Sequence, residues 1–381
     1  MKYVDDFKNP EAAHTIEKKI KELASQVPEG KTVNIMEVCG SHTMAIARYA
    51  IREILPENIN LVSGPGCPVC VTDSGYIDTA IALAQRENII VATFGDMINV
   101  PGGRGNEVQD SGAEVDNSKS PNTLAKIRAE GATVEVCYSP TKAVELAKEN
   151  PGKEIVFLGI GFETTMVPVT AIVDIAIKEN IENLTILTAF KLVPPALEAL
   201  VSDPELNIDA FLCPAHVSAI IGANAYEPFV AKHHIPCVIA SFEPVDIMYG
   251  LQKIMEQIVE KKAFVDNQYK RVVKTEGNPI AQKLLKKYLA SADVPWRGIG
   301  VIPGSGLALK DEFSKYDAEK RFDLKIVAGQ TDIRCKCGDV LKGKIKPVDC
   351  AMFAKACTPM NPIGPCMVSS EGSCAAYFKY R

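Results

Sequence analysis

From Val33 to Ser241 the chain repeats one pattern, a short and nearly all-apolar run followed by a stretch with helical spacing. The runs are Val33–Val38, Asn60–Ser63, Ile89–Phe94, Thr133–Cys137, Ile155–Ile160, Thr185–Phe190, Ala210–Cys213 and Cys237–Ser241. They lack the in–out alternation of a half-exposed sheet, so they suit strands covered on both faces. The stretches between them are His42–Leu55, Tyr76–Gln85, Asn122–Glu130, Thr141–Lys148, Thr165–Lys178 and Pro195–Leu200, with a further amphipathic helix over 10–26. Strands alternating with helices imply parallel sheets joined by crossover helices, an α/β fold.

The 381 residues exceed what one hydrophobic core usually serves. Two adjacent α/β units accommodate the eight runs better than one wide sheet. The expected division is an α/β unit over 1–130, a second over 131–250, and a mostly helical, cysteine-rich domain over 251–381, with a soft boundary near 130 because the chain can cross between the two units more than once. Residues 251–292 read as helical and "GVIPGSGLAL" (300–309) as turn-rich. The net charge of −5, with no basic stripe, argues against nucleic acid. No apolar stretch is long enough for a membrane span. The N-terminus, "MKYVDDFKNPEAAH", lacks the basic start and apolar middle of a signal peptide, so a cytoplasmic location is expected.

The unusual residues follow the strands. "EVCGSHT" (37–43), "GPGCPVCVTDSG" (64–75), "FGDMINVPGG" (94–103), "GIGFETT" (159–165) and "CPAHVS" (213–218) each end a run. Ligands of open α/β sheets bind outside the carboxyl ends of the strands, so these five loops are expected to converge on one crevice. Cys39 falls at a strand-to-helix turn, where backbone N–H groups and the helix end favour thiolate. His42 is placed to orient it, move its proton or share a metal. Cys67 and Cys70 have the spacing of a redox dithiol, of half a zinc knuckle, or of a tight turn held by Gly64, Gly66 and Pro68. Glu163 and Thr164 read either as a helix N-terminus or as part of the crevice, and His216 and Asp96 are further candidates. Cys137, Cys213 and Cys237 read as core residues.

Twelve cysteines in a cytosolic chain point to metal or redox chemistry. Six of them, Cys335, Cys337, Cys350, Cys357, Cys366 and Cys374, crowd the last fifty residues in a segment rich in Pro and Gly. That segment cannot form a hydrophobic core alone, and a metal centre would explain how it stays folded. The string has no paired knuckles of the zinc-ribbon kind, whereas iron–sulfur clusters accept scattered thiolates. Spacing alone does not choose four ligands from the six.

Taken together, "MEVCGSHT", "SGPGCPVCVT", "FGDM…VPG", "GIGFETT", "CPAHVSAIIG" and "CTPMNPIGPCMVSSEGSCAAY" closely resemble the HypD family of hydrogenase maturation proteins, in order and over essentially the whole chain. The resemblance implies a redox-active scaffold for the iron group of [NiFe]-hydrogenases, an iron with two cyanides and one carbon monoxide, Fe(CN)2CO. It implies two α/β domains, a [4Fe-4S] cluster in the C-terminal domain, a small HypC-like chaperone sharing the iron, and a HypE-like cyanide donor. Residue by residue, Cys39 matches the iron-holding cysteine and Cys67 and Cys70 the redox pair. His42, Glu163, Thr164 and His216 match polar residues of the cleft. The cluster pattern falls on Cys337, Cys350, Cys357 and Cys374, with Cys335 and Cys366 as alternates. The competing readings are a stand-alone thiol–disulfide oxidoreductase fed by an iron–sulfur cluster, and a zinc-stabilised interaction module. An electron relay from cluster to dithiol to iron requires the C-terminal domain to pack against the crevice.

Overall fold

In the computed structural model of the protein, residues 9–103, 123–329 and 331–380 are described. The N-terminal octapeptide of the leader reading and Asn122, the first residue of one expected helix, lie outside them. All eight apolar runs are strands: β1 (Val33–Glu37), β2 (Ile59–Ser63), β3 (Ile89–Thr93), β4 (Val134–Val136), β5 (Glu154–Gly161), β6 (Leu184–Phe190), β7 (Ala210–Pro214) and β8 (Cys237–Ala240). A ninth, β9 (Val265–Asn267), follows the helix Pro244–Val259. They form two wholly parallel sheets, ordered β2-β1-β7-β8-β9 and β4-β3-β5-β6. Among the described residues no helix is long and apolar enough to cross a membrane.

Sheet membership does not follow the division at residue 130. The chain lays down β1 and β2, crosses to build all four strands of the second sheet, and returns at β7, where Ile35 pairs with Ala210. Residue 130 falls between β3 and β4, which are neighbours in one sheet. A parallel neighbour needs only a crossover connection, and a crossover into another sheet has the same local pattern, so spacing cannot distinguish them. The boundary at 251 likewise cuts the helix Pro244–Val259, which packs on β8 and on the helix Pro10–Ala24.

Two further expectations are corrected. The single helix His42–Leu55 is two, Gly40–Arg48 and Ile51–Ile54, separated at Ala50, whose φ of 50° is left-handed. The C-terminal part is less helical than its composition suggests. After the helix Pro279–Tyr288 comes an antiparallel ribbon, β10 (Leu289–Trp296) and β11 (Gly300–Leu309), the second strand being the stretch read as turns. A two-stranded ribbon has free edges, so Pro303 need not donate to a ladder. A register shift between Ala292 and Val294 absorbs the irregularity. The ribbon crosses the end of β6, where the Leu192 N–H donates to the Ser305 carbonyl at 2.8 Å.

Each sheet has an outer core: Ile20, Ile35, Ile46 and Leu251 under one, Phe157, Met166, Ile172 and Phe190 under the other. A third core lies between the sheets and joins Val71, Ile77, Leu158, Leu187 and Phe211 to Trp296 of the ribbon and to Cys366 and Met367 of the tail. Each aliphatic side chain buried there contributes about 1.5–3 kcal/mol. The cysteine-rich tail is thereby held by the same core that joins the sheets.

Gly66 is a tight point of this assembly, where two strand-end turns meet backbone to backbone. A Cβ there would lie 2.3–2.5 Å from the backbone N, Cα and C of Cys39, with no flexible side-chain tip to yield. Gly66→Ala is expected to lower the urea midpoint by the equivalent of about 1–3 kcal/mol, the range for forced overpacking. Gly152→Ala, which meets open space, is expected to leave it unchanged.

Candidate iron and thiol site

Cys39 ends β1 as the N-cap of the helix Gly40–Arg48, with extended backbone at φ −149°. The N–H groups of His42 and Ser41 face its sulfur and favour thiolate, as the sequence suggests. The balance nevertheless runs the other way: burial, with the nearby Glu371 carboxylate adding to it, pushes the thiol up to about 12. Two N–H donors do not offset removal of the charge from water, so Cys39 rests as a neutral thiol.

The loop after β2 lies directly on this turn. Gly40 N–H donates to the Gly66 carbonyl at 2.9 Å, and Gly64 N–H to the Glu37 carbonyl at 2.8 Å. Pro68 then opens a one-turn helix, Pro68–Val71, with Cys67 as its N-cap. The Cys67 sulfur accepts the Cys70 N–H at 3.1 Å. Cys67 and Cys70, both buried, are joined as a disulfide with their Cα atoms 5.2 Å apart. Both carboxyl-end loops therefore meet as expected, through backbone contact.

His42 is fully buried and its Nε2 lies 3.1 Å from the carbonyls of both Ala240 and Ser241, at the end of β8. Its Nδ1 is buried without a hydrogen-bond partner among the described residues. Burial lowers its pKa to about 4, so the ring is neutral at physiological pH. Phe242 stacks between it and the exposed His216, at 4.8 Å from one ring and 4.3 Å from the other. Those contacts bring the ends of β1, β7 and β8 together. Glu163 and Thr164 begin the helix Glu163–Lys178 after β5, in the other sheet. Glu163 is buried, accepts the Val193 N–H at 2.9 Å through Oε1, and leaves Oε2 without a partner. Burial raises its carboxyl to about 7. Thr164 is partly exposed in that first turn. The helix Ala215–Ile221, which carries His216, packs on Glu163–Lys178 and so closes one sheet edge on the other.

In the tail, Cys335, Cys337, Cys350, Cys357 and Cys374 line one small pocket, together with Ile363, Gly364 and Met367, with a cavity volume of about 20 Å³. The Cys335 and Cys337 sulfurs are 3.2 Å apart, and the Ile363 N–H reaches the Cys357 sulfur at 3.4 Å. A Cβ at Gly364 would fall 2.5 Å and 2.6 Å from the sulfurs of Cys335 and Cys337. Only a bare backbone closes over them. Cys366 does not line the pocket, but its buried thiol interacts with that of Cys337. Among the described residues, no three His, Cys, Asp or Glu side chains meet around one point as a single bound ion requires. The short helix Pro365–Val368 packs on Pro68–Val71, bringing the cysteine segment against the disulfide.

Three participants have no signal in the sequence. Glu371 lies between two cysteines of the tail, yet its carboxylate accepts the Ser41 hydroxyl at 3.0 Å beside Cys39. Burial raises its carboxyl, and the charge of Asp96 contributes, which places the "FGDM" loop at the same spot. Phe242 follows β8 in an ordinary-looking loop. Arg297, in the turn of the ribbon, is buried. Of the isolated cysteines, Cys213 and Cys237 are buried neighbours in β7 and β8, and Cys137 is buried at the end of β4, as read.

The family model described as "Hydrogenase formation hypA family" (HypD) matches residues 11–381. The chain is 41% identical to "Hydrogenase maturation factor HypD2" of Bradyrhizobium diazoefficiens, over 100% of this chain and 97% of that one. It is 40% identical to "Hydrogenase maturation factor HypD" of Azotobacter vinelandii, with the same coverage. The Escherichia coli protein of that name is 39% identical, over 100% of this chain and 98% of its own.

The buried carboxyl of Glu163 carries a pH signature. Its pKa is about 7 in the fold against 4.5 unfolded, so ionisation above 4.5 favours the unfolded chain until about 7, where the effect levels off. Wild-type stability is expected to fall relative to Glu163→Gln across this window by roughly 3 kcal/mol. Urea unfolding of both proteins at several pH values measures it, and a constant difference would refute it.

Proposed function

The chain belongs to the HypD family of hydrogenase maturation factors, and on that premise we propose that it is the redox scaffold on which the iron group of a [NiFe]-hydrogenase is assembled. The iron is cargo, held at Cys39 and shared with a small HypC-like chaperone, while a HypE-like partner delivers cyanide and CO is added. A soft thiolate suits an iron that takes strong-field cyanide and CO. Because Cys39 rests protonated, an arriving cation must displace its proton, and the Glu371 carboxylate, whose charge acts on this thiol and which is held by Ser41, is a group able to accept it. Glu163 and Thr164, after a strand of the other sheet, and His216, after a strand of the same sheet as Cys39, would orient ligands.

The observation that carries this reading is one continuous line of contacts. The Gly66 backbone touches Cys39, the disulfide follows within the same loop, and the tail helix containing Cys366 packs on the disulfide helix. The cysteine pocket fits a [4Fe-4S] cluster. Five cysteines line one pocket, an N–H approaches one sulfur, and the bare backbone of Gly364 packs directly over two. We assign Cys337, Cys350, Cys357 and Cys374 as ligands, with Cys335 and Cys366 as alternates. When bound, the cluster would supply electrons singly from an external one-electron donor protein. Two electrons and two protons convert the Cys67–Cys70 disulfide to a dithiol beside the iron.

Anaerobically purified protein is expected to contain about four iron and four sulfide per chain, with absorbance near ~400 nm; zinc without iron or sulfide would favour the interaction-module reading. Cys39→Ala is expected to abolish the infrared CN and CO bands of the protein co-purified with its small partner, while Cys67 and Cys70 still cycle by thiol labelling. Intact bands in that variant would overturn the iron-holding role and leave the stand-alone oxidoreductase.

A further inference from the structure

Arg297 is a buried cation, only 4% exposed, in the turn between β10 and β11. Its backbone N–H donates to the Val71 carbonyl at 2.8 Å, and its Nε to the Thr72 carbonyl at 2.8 Å. Those carbonyls end the one-turn helix that carries Cys67 and Cys70. Its Nη2 is buried with no hydrogen-bond partner among the described residues. On the other side the turn abuts the cysteine segment: a Cβ on the next residue, Gly298, would lie 2.2 Å from the Cα of Gly338, adjacent to Cys337. The guanidinium charge acts on the thiols of Cys335 and Cys366. A second buried cation, Lys191, lies over the ring of Trp296 and feels the charges of both Asp73 and Arg297. Among the described residues no carboxylate pairs with Arg297.

A buried guanidinium with an unused donor and no anion is strongly disfavoured, so a buried anion should complete it. A cluster held by four thiolates carries net negative charge in either oxidation state. We propose that Arg297 is the charge partner of the cysteine-bound cluster, donating through Nη2 to a cluster or cysteine sulfur while Nε and the backbone hold the end of the disulfide helix. This rests on the iron–sulfur reading given above. Arg297 is a positioning residue with two effects. It stabilises the more negative, reduced cluster and so raises its potential. It also fixes the distance from cluster to disulfide, because one side chain grips both.

The test is a redox titration of the anaerobically purified full-length protein, followed by electron paramagnetic resonance of the reduced cluster. Arg297→Gln is expected to lower the ratio of reduced to oxidised cluster about tenfold at a given potential, a shift of about 59 mV to the negative. Arg297→Lys, which keeps the charge and loses the fork, is expected to stay within about threefold of wild type. Arg297→Gln with full iron and sulfide and an unshifted ratio overturns the proposal, and so does a shift as large in Arg297→Lys. If Arg297→Gln does not retain its cluster, retention by Arg297→Lys supports the charge partnership, and loss in both overturns it. Wild-type protein without iron and sulfide would sink the iron–sulfur reading itself, a separate outcome.

Discussion

The structure depends on two tight turns lying backbone to backbone. Cys39 and Gly66 approach so closely that no side chain fits between them, and the Gly40 N–H to Gly66 carbonyl bond fixes their register. Both turns follow neighbouring parallel strands, so their positions are inherited from the pairing of β1 with β2. That is why a flexible-looking Gly-Pro loop holds its sulfurs in a defined place. The loop has little freedom once the sheet has formed.

A second layer secures this one from the other end of the chain. The tail contributes Glu371 to the Cys39 turn and its helix Pro365–Val368 to the disulfide helix. The ribbon β10–β11 wedges Trp296 and Arg297 into the same interior. Polar groups buried here are only partly satisfied: His42 Nδ1, Glu163 Oε2 and Arg297 Nη2 have no hydrogen-bond partner among the described residues. Folding alone gains nothing from such orphans.

Much of this was legible in the sequence because it rests on local rules. All eight apolar runs became parallel strands, and the loops at their carboxyl ends carry Cys39, the disulfide, Glu163 and His216 as expected. The sheet to which each strand belongs was not legible, since crossing over leaves no local mark. Nor was β11, whose Gly and Pro residues imitate a turn. The protonated state of Cys39 escaped because a helix end is visible in sequence and the depth of burial is not. Glu371 and Arg297 escaped for a simpler reason: each acts on residues hundreds of positions away, and nothing in "SSEGS" or "PWRGIG" announces that contact.

The order in which the strands enter the sheets has a consequence for synthesis. β1 and β2 emerge first, but β7, the partner on the far side of β1, is made only after the entire second sheet. At ribosomal speeds that interval is on the order of ten seconds. Cys39 meanwhile lacks the β8 carbonyls that hold His42, and Glu371 arrives almost at the end of the chain. Cys39 therefore stays without these surroundings until the chain has been made as far as Glu371. A chain that stopped early would present sulfur without the groups that govern it, so the last residues act as a seal on the first cysteine.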